Sequence, residues 1–150
     1  MNYQNSQHRF KKIALWGLGG GLAVAVGSFI WYVATSPAVP ESAIVSRNGL
    51  HWHPELAIHV KGIKQEIPAA LGLGVIEMPI HTHDSTGIIH LEIGGLVRQE
   101  DIMLVQFFKN WGKDIHSFGA NMKMLVNGKE NTEYENYVMR DKDKIELEFN

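Results

Sequence analysis

The sequence predicts an α+β fold: a single N-terminal transmembrane helix followed by a small, mostly antiparallel sheet with one packed helix. Three observations predict it. A charge-free apolar run fills residues 13–35, period-2 alternation recurs near residues 56–60 and 145–149, and one amphipathic stripe at helical spacing lies between the two.

The apolar run, IALWGLGGGLAVAVGSFIWYVAT, is twenty-three residues long. At ~1.5 Å per residue it covers the ~30 Å hydrocarbon layer of a bilayer as one helix. Trp16 near one end and Trp31 with Tyr32 near the other suit the headgroup boundary. Arg9, Lys11 and Lys12 precede the run, and the bias of positive charge toward the cytoplasm places residues 1–12 inside and all that follows the anchor outside. The chain therefore reads as a single-pass protein of the cell membrane, its N-terminus cytoplasmic and its C-terminal domain extracytoplasmic, with the lipid bilayer as its first partner. A cleaved signal peptide begins in the same way, but this run exceeds the usual h-region by roughly half. Gly17 and Gly21 stand at the GxxxG spacing that lets two helices pair as a homodimer, although glycine is common in membrane helices anyway.

After the anchor, SPAVPES carries two prolines and small residues, so residues 36–50 are expected as an extended linker and residues 51–150 as the exported domain. That is length enough for one hydrophobic core. With Cys 0 no disulfide can form. Beyond residue 35 the chain carries 11 basic against 16 acidic residues, a net charge of −5. Such a domain has no basic stripe to neutralise phosphates, which sets nucleic acid aside as a partner.

Within the domain, Leu56, Ile58 and Val60 alternate with Ala57, His59 and Lys61 as a strand with one buried face. Lys61 and Gly62 turn it, and residues 64–68 are the expected return strand, ended by Pro68. Residues 122–126 form a second strand before Asn127-Gly128, a strong hairpin turn. Ile145, Leu147 and Phe149 line one face of a closing strand. Between the hairpins, residues 99–111 read as a helix, acidic at its start through Glu100 and Asp101 and ended by Gly112. Hairpin, helix, strand and closing strand follow the pattern of a β-grasp, or ubiquitin-like, fold, an analogy that gives no function by itself.

The chemistry-bearing residues are histidines. HWHPE holds His51 and His53, and about thirty residues later PIHTHDSTGIIHLE holds His81, His83 and His90. Residues i and i+2 of a strand share a face about 6.5–7 Å apart, so each His-x-His pair offers two imidazoles to one side. Neutral imidazole is a common ligand for zinc, copper, nickel and iron, at ~2.0–2.1 Å from a zinc-sized ion. The candidate metal ligands are thus His51, His53, His81, His83 and His90. A tight turn at residues 84–87 would fold His90 back beside the second pair. Glu92 shares strand parity with His90 and could be a ligand, a partner fixing an imidazole tautomer, or a general base. Asp84 reads first as a turn former.

Several residues carry blander readings. His59 and His116, each alone, read as solvent-facing or hydrogen-bonded structural histidines, and His8 lies on the cytoplasmic side. Met78, Met122 and Met124 would add soft ligands suited to Cu(I), but Met122 and Met124 share parity with Val126 and read as core. Trp52 must point away from its two histidine neighbours and pack as core or rim.

HWHPELAIHVKGIKQEIPAALGLG, MPIHTHDSTGIIHLE and FFKNWGKDI together resemble a group of small, membrane-anchored exported proteins of archaea and candidate-phylum bacteria. Similar HWHP, HTHD-x-(S/T)-G-x-(I/L)-H and FF-x-x-WG stretches recur there. The similarity spans residues 51–150. It implies an anchor and a metal-site candidate and lends no activity. Several such relatives place cysteines after the WG stretch, where this chain has KDIHSFGANMKM, so no thiol contributes here.

The first functional reading is a binding module, an anchored domain that holds copper or zinc to buffer, sense or hand on the metal. Two alternatives stay open. One is a metal-dependent enzyme, with three histidines leaving a position open for water and Glu92 or Asp84 moving protons; no HExxH or GxSxG stretch supports it. The other is a metal-free protein-interaction domain with an exposed, pH-responsive histidine patch.

Overall fold

The computed structural model describes residues 3–150, with side chains from residue 16 onward. The basic cluster Arg9, Lys11 and Lys12 and the histidine at position 8 lie outside the described side chains. The chain divides into two compact units, Met1–Val39 and Pro40–Asn150.

The first unit is a helix, α1 (Tyr3–Thr35). Within it Trp16–Thr35, 20 residues, is long and apolar enough to cross a membrane. Its side chains are exposed all round, a composition that suits lipid as solvent. The Thr35 hydroxyl donates to the Trp31 carbonyl at 2.7 Å and that of Ser36 to the Tyr32 carbonyl at 2.6 Å, which satisfies carbonyls of the last turn.

The second unit holds ten strands: β1 (Ile44–Ser46), β2 (Leu50–Trp52), β3 (Glu55–Val60), β4 (Ile63–Gln65), β5 (Ile80–His81), β6 (His90–Ile93), β7 (Val97–Arg98), β8 (Lys123–Val126), β9 (Lys129–Glu130) and β10 (Lys144–Phe149). The helix α2 (Leu104–Trp111) falls between β7 and β8. The strands form a five-stranded sheet ordered β4-β3-β10-β8-β9, a three-stranded sheet ordered β2-β6-β5, and the pair β1-β7. The fold is α+β and its sheets are mostly antiparallel, with one exception. The closing strand β10 lies in the middle of the large sheet, parallel to β3 and antiparallel to β8.

Alternation explains that central place. Ile145, Leu147 and Phe149 of β10 are buried, as are Leu56 and Ile58 of β3 and Met124 of β8, so the three strands present one apolar face. Leu104, Phe107 and Phe108 of α2 are buried in the same core. Phe118 links helix to sheet, its ring 6.3 Å from that of Phe108 and 5.8 Å from that of Phe149. Truncating a buried aromatic such as Phe149 to alanine would cost about 3–5 kcal/mol.

Three expectations shift in detail. The helix expected over residues 99–111 is broken. Gln99–Ile102 is a 3-10 turn, Met103 is extended, and only Leu104–Trp111 is α-helical. The cause is a competing backbone partner: Met103 bridges Val138, Leu104 donates to the Tyr137 carbonyl at 2.8 Å, and Met139 donates to that of Ile102 at 3.1 Å. Gly112 ends the helix in the left-handed region, as its type allows. The return strand β4 covers residues 63–65 and stops short of Pro68. Finally, residues 36–50, expected as linker, contain a 3-10 turn at Glu41–Ala43, all of β1 and the start of β2, and the compact unit already begins at Pro40.

Candidate metal centre

The small sheet β2-β6-β5 frames the histidines. In its register His51 faces Glu92 across β2 and β6, and His81 faces His90 across β5 and β6. Opposed residues share a face, and so do His90 and Glu92 at i and i+2. These four side chains therefore form one row on one face. The other face carries Trp52, Leu91 and Ile80, which pack into the core. Each His-x-His pair then extends just past its strand, adding His53 and His83.

The structure brings all five expected histidines together. Ring centroids are 4.7 Å apart for His51 and His53, 4.8 Å for His53 and His90, 4.3 Å for His83 and His90, and 5.3 Å for His81 and His90. Two donor sets could each hold a metal ion: His81, His83, His90 and Glu92, and separately His51, His53 and His90. Within each set the ligand atoms lie within 4.8 Å of one another.

His81 is the most constrained member, fully buried. Its Nδ1 lies 2.9 Å from the Met78 carbonyl oxygen. A carbonyl only accepts, so Nδ1 carries a proton, and in the neutral ring Nε2 keeps the lone pair. That Nε2 sits 3.3 Å from Nε2 of His83 and 3.2 Å from Oε1 of Glu77. Thr82, between the two histidines, is buried and points the other way. Its hydroxyl donates to the Pro68 carbonyl at 2.8 Å and accepts from the Leu71 amide at 3.1 Å, while its amide donates to the Leu71 carbonyl at 2.9 Å. Asn110 of α2 donates to the Ile80 carbonyl at 2.8 Å and ties β5 to the helix.

On β6, Nδ1 of His90 is buried with no hydrogen-bond partner, since Oε1 of Glu92 is 3.7 Å away. Burial, then the neighbouring imidazoles His83, His53 and His81, hold the His90 pKa below its usual value. That shift favours the neutral ring, the form that ligates metals. On β2, Nε2 of His51 meets Oε1 of Glu92 at 3.0 Å. The His53 backbone amide donates to Oδ1 of Asp141 at 2.9 Å, and the same oxygen lies 3.9 Å from the ring Nδ1.

Neither a protein-family model nor a curated protein nor a solved structure matches the chain. The reading of this centre therefore stands on its geometry.

The remaining candidates sort by position. Asp84 is a turn former, accepting from the amide and hydroxyl of Thr86, and these bonds lower its pKa. Met124 is fully buried and Met122 packs against the core, while Met78 contributes its backbone carbonyl. His59 faces Lys64 and Glu148 in the large sheet, and His116 lies 3.8 Å from Glu135; neither belongs to a donor set. Two residues beside the centre escaped the sequence reading. Glu77 had a faint signal, four residues before His81. Asp141 had none, being 88 residues from His53.

A separate cleft of about 730 Å³ lies beside Trp52, Tyr137 and Arg140. Its buried carboxylate is already satisfied: Asp143 accepts from the Asn127 side chain at 2.8 Å, the Tyr137 hydroxyl at 2.6 Å and the Arg140 amide at 2.9 Å. That network is structural.

Proposed function

We propose that this chain is a membrane-anchored, extracytoplasmic metal-binding domain that holds copper or zinc through His51, His53, His81, His83 and His90, to buffer, sense or pass on the metal. The observation that carries the reading is the 3.3 Å separation of the Nε2 atoms of His81 and His83. Two nitrogens at ~2.0–2.1 Å from one tetrahedral ion are about 3.3–3.4 Å apart. The pair is already at ligating distance, with the His81 lone pair turned inward by the Met78 carbonyl. Without an ion, Nε2 of His83 can donate its proton to the Nε2 lone pair of His81, and a bound ion would take the place of that proton.

The extracytoplasmic placement rests on the basic cluster before the apolar run. It agrees with the resemblance to anchored exported proteins. A β-grasp reading of the frame is supported by the strand order, in which the closing strand enters the centre of the large sheet parallel to the first strand of its hairpin. The donors are nitrogen and carboxylate oxygen without sulfur, a set that suits Zn(II) and Cu(II) better than Cu(I).

The test is metal analysis of the full chain in detergent, purified without a His tag or chelating resin and then exposed to zinc or copper. At least one bound ion per chain is expected, and at least one fewer in the His81→Ala/His83→Ala variant, with circular dichroism as the check on folding. A wild-type chain that retains neither metal ends the reading.

A further inference from the structure

The donors do not converge on one point. Ligand atoms on a single zinc-sized ion lie no more than roughly 4.2 Å apart, twice the bond length. Among the described residues, the five imidazoles and Glu92 instead form two sets, with His81 and His83 in one and His51 and His53 in the other.

Two side chains connect the sets. His90 belongs to both, its ring centroid 4.8 Å from that of His53 on one side and 4.3 Å from that of His83 on the other. An imidazole has two nitrogens on different edges, so one ring can serve two ions. Glu92 belongs to the first set, yet its Oε1 lies 3.0 Å from Nε2 of His51 in the second and 3.7 Å from Nδ1 of His90.

We infer that the centre takes two transition-metal ions, one in each set, bridged by His90. The inference rests on the metal-binding reading above and extends it. His81 and His83 ligate only the first ion, and His51 and His53 only the second. With His90 counted in both sets, the first ion has four protein donors and the second three, the closed and the open number that zinc sites commonly show. Glu92 supplies one negative charge between two dications. When the second ion binds the remaining ring nitrogen of His90, the proton on that nitrogen leaves to solvent and the ring becomes an anionic bridge.

Three observations support the arrangement independently of the spacing. The buried Nδ1 of His90 is the one buried side-chain polar atom, among the described residues, that lacks a hydrogen-bond partner, and such an atom calls for a partner. Each set also has its own positioning group: the Met78 carbonyl turns His81, and Asp141 holds the backbone of His53. Finally, Glu92 is opposed to His51 by strand register, so its carboxylate is placed between the sets by the sheet itself.

The experiment is a Cu(II) titration of the full chain in detergent, stripped first with a chelator, reading bound copper per chain after desalting and the intensity of the copper electron paramagnetic resonance signal. Two ions per chain are expected, with most of the signal lost through coupling of the bridged spins. The His51→Ala/His53→Ala variant removes two side chains that are 61% and 41% exposed, so the fold should persist, as circular dichroism checks. It should bind one copper with full signal. One ion per wild-type chain, a wild-type pair with full uncoupled signal, or an unchanged stoichiometry in the variant would each overturn the two-ion inference and leave the single-ion reading standing. No bound copper or zinc at all would end both.

Discussion

Nε2 of His81 and Nε2 of His83 lie 3.3 Å apart, and only one of the two rings is shielded from water. His81 is fully buried, whereas His83 is exposed. Removing His83 therefore takes away a proposed ligand without opening the core. His83→Ala should weaken zinc binding by at least about 10- to 100-fold, since even partners one step removed from a metal are worth that much. The stability of the metal-free protein should change by no more than about 0.5 kcal/mol, as expected of an exposed position. Calorimetric titration with zinc and thermal melting of the apo form check the two halves separately.

Thr82 carries the opposite pattern, touching no ion yet holding both neighbours in place. Its hydroxyl is buried between the Pro68 carbonyl and the Leu71 amide. Thr82→Val keeps the shape and removes both bonds, leaving a buried amide unsatisfied at a cost of about 1–3 kcal/mol. Because residues 81 and 83 flank it, zinc affinity should fall as well. A variant that loses stability and keeps wild-type affinity would show that the turn does not position the pair.

Gly72 bears on the same strand from behind. It sits at φ +78°, and a Cβ there would stand 2.8 Å from the Ile80 carbonyl oxygen and 3.1 Å from Cβ of His81. Gly72→Ala is therefore strained in backbone and in space at once, and it should cost more than the ~1 kcal/mol of an ordinary glycine replacement. Denaturant melts of the apo protein measure this. A neutral result would mean that the loop before β5 shifts freely, and the His81 ring with it.

The sequence carried the alternating strands and the two histidine pairs in plain sight, because period-2 burial and i, i+2 spacing are local. Leu56 and Ile58, or Ile145, Leu147 and Phe149, announce their face without any partner. Register is not local. Nothing near His51 says that it will oppose Glu92, or that Asp141 will reach His53 from the far end of the chain. The broken helix has the same origin. Residues 99–111 have helical periodicity, but the backbone of Val138 and Met139 competes for Ile102 and Met103, and that pairing partner lies 36 residues or so downstream. For the same reason the five candidate histidines could be named from the sequence, with the role of Glu92 left open, while their division into two sets could not.

Tyr137 and Asp143 set an alkaline limit. The Tyr137 hydroxyl donates to Asp143 at 2.6 Å, and burial together with that bond raises the tyrosine pKa well above the usual phenol range. A raised pKa in the folded state means that folding favours the protonated phenol. The contribution is fully present below the unfolded value of about 10 and is lost as pH climbs from there toward the folded value. Stability should thus decline above about pH 10. In Tyr137→Phe that part of the decline should disappear, at a cost near neutrality of about 1–3 kcal/mol for the lost bond, with Asp143 still held by Asn127 and Arg140. Urea melts at neutral and alkaline pH compare the two slopes, and parallel slopes would sink the assignment.

Metal binding and folding should be coupled, because the row of donors on β2, β6 and β5 exists only when those strands are paired. An ion that binds only the folded form stabilises it by RT ln(1 + [L]/Kd), about 2.7 kcal/mol at a hundredfold excess over Kd. For a domain of this size that is a rise in Tm of roughly 10 °C. The rise should reverse with a chelator. It should also shrink in His83→Ala. Scanning calorimetry of the full chain with zinc, with zinc plus chelator, and with magnesium separates this from a general salt effect: magnesium prefers oxygen ligands and should leave Tm unchanged. A zinc-induced rise that persists in the variant at full size would place the stabilising ion somewhere other than beside His81.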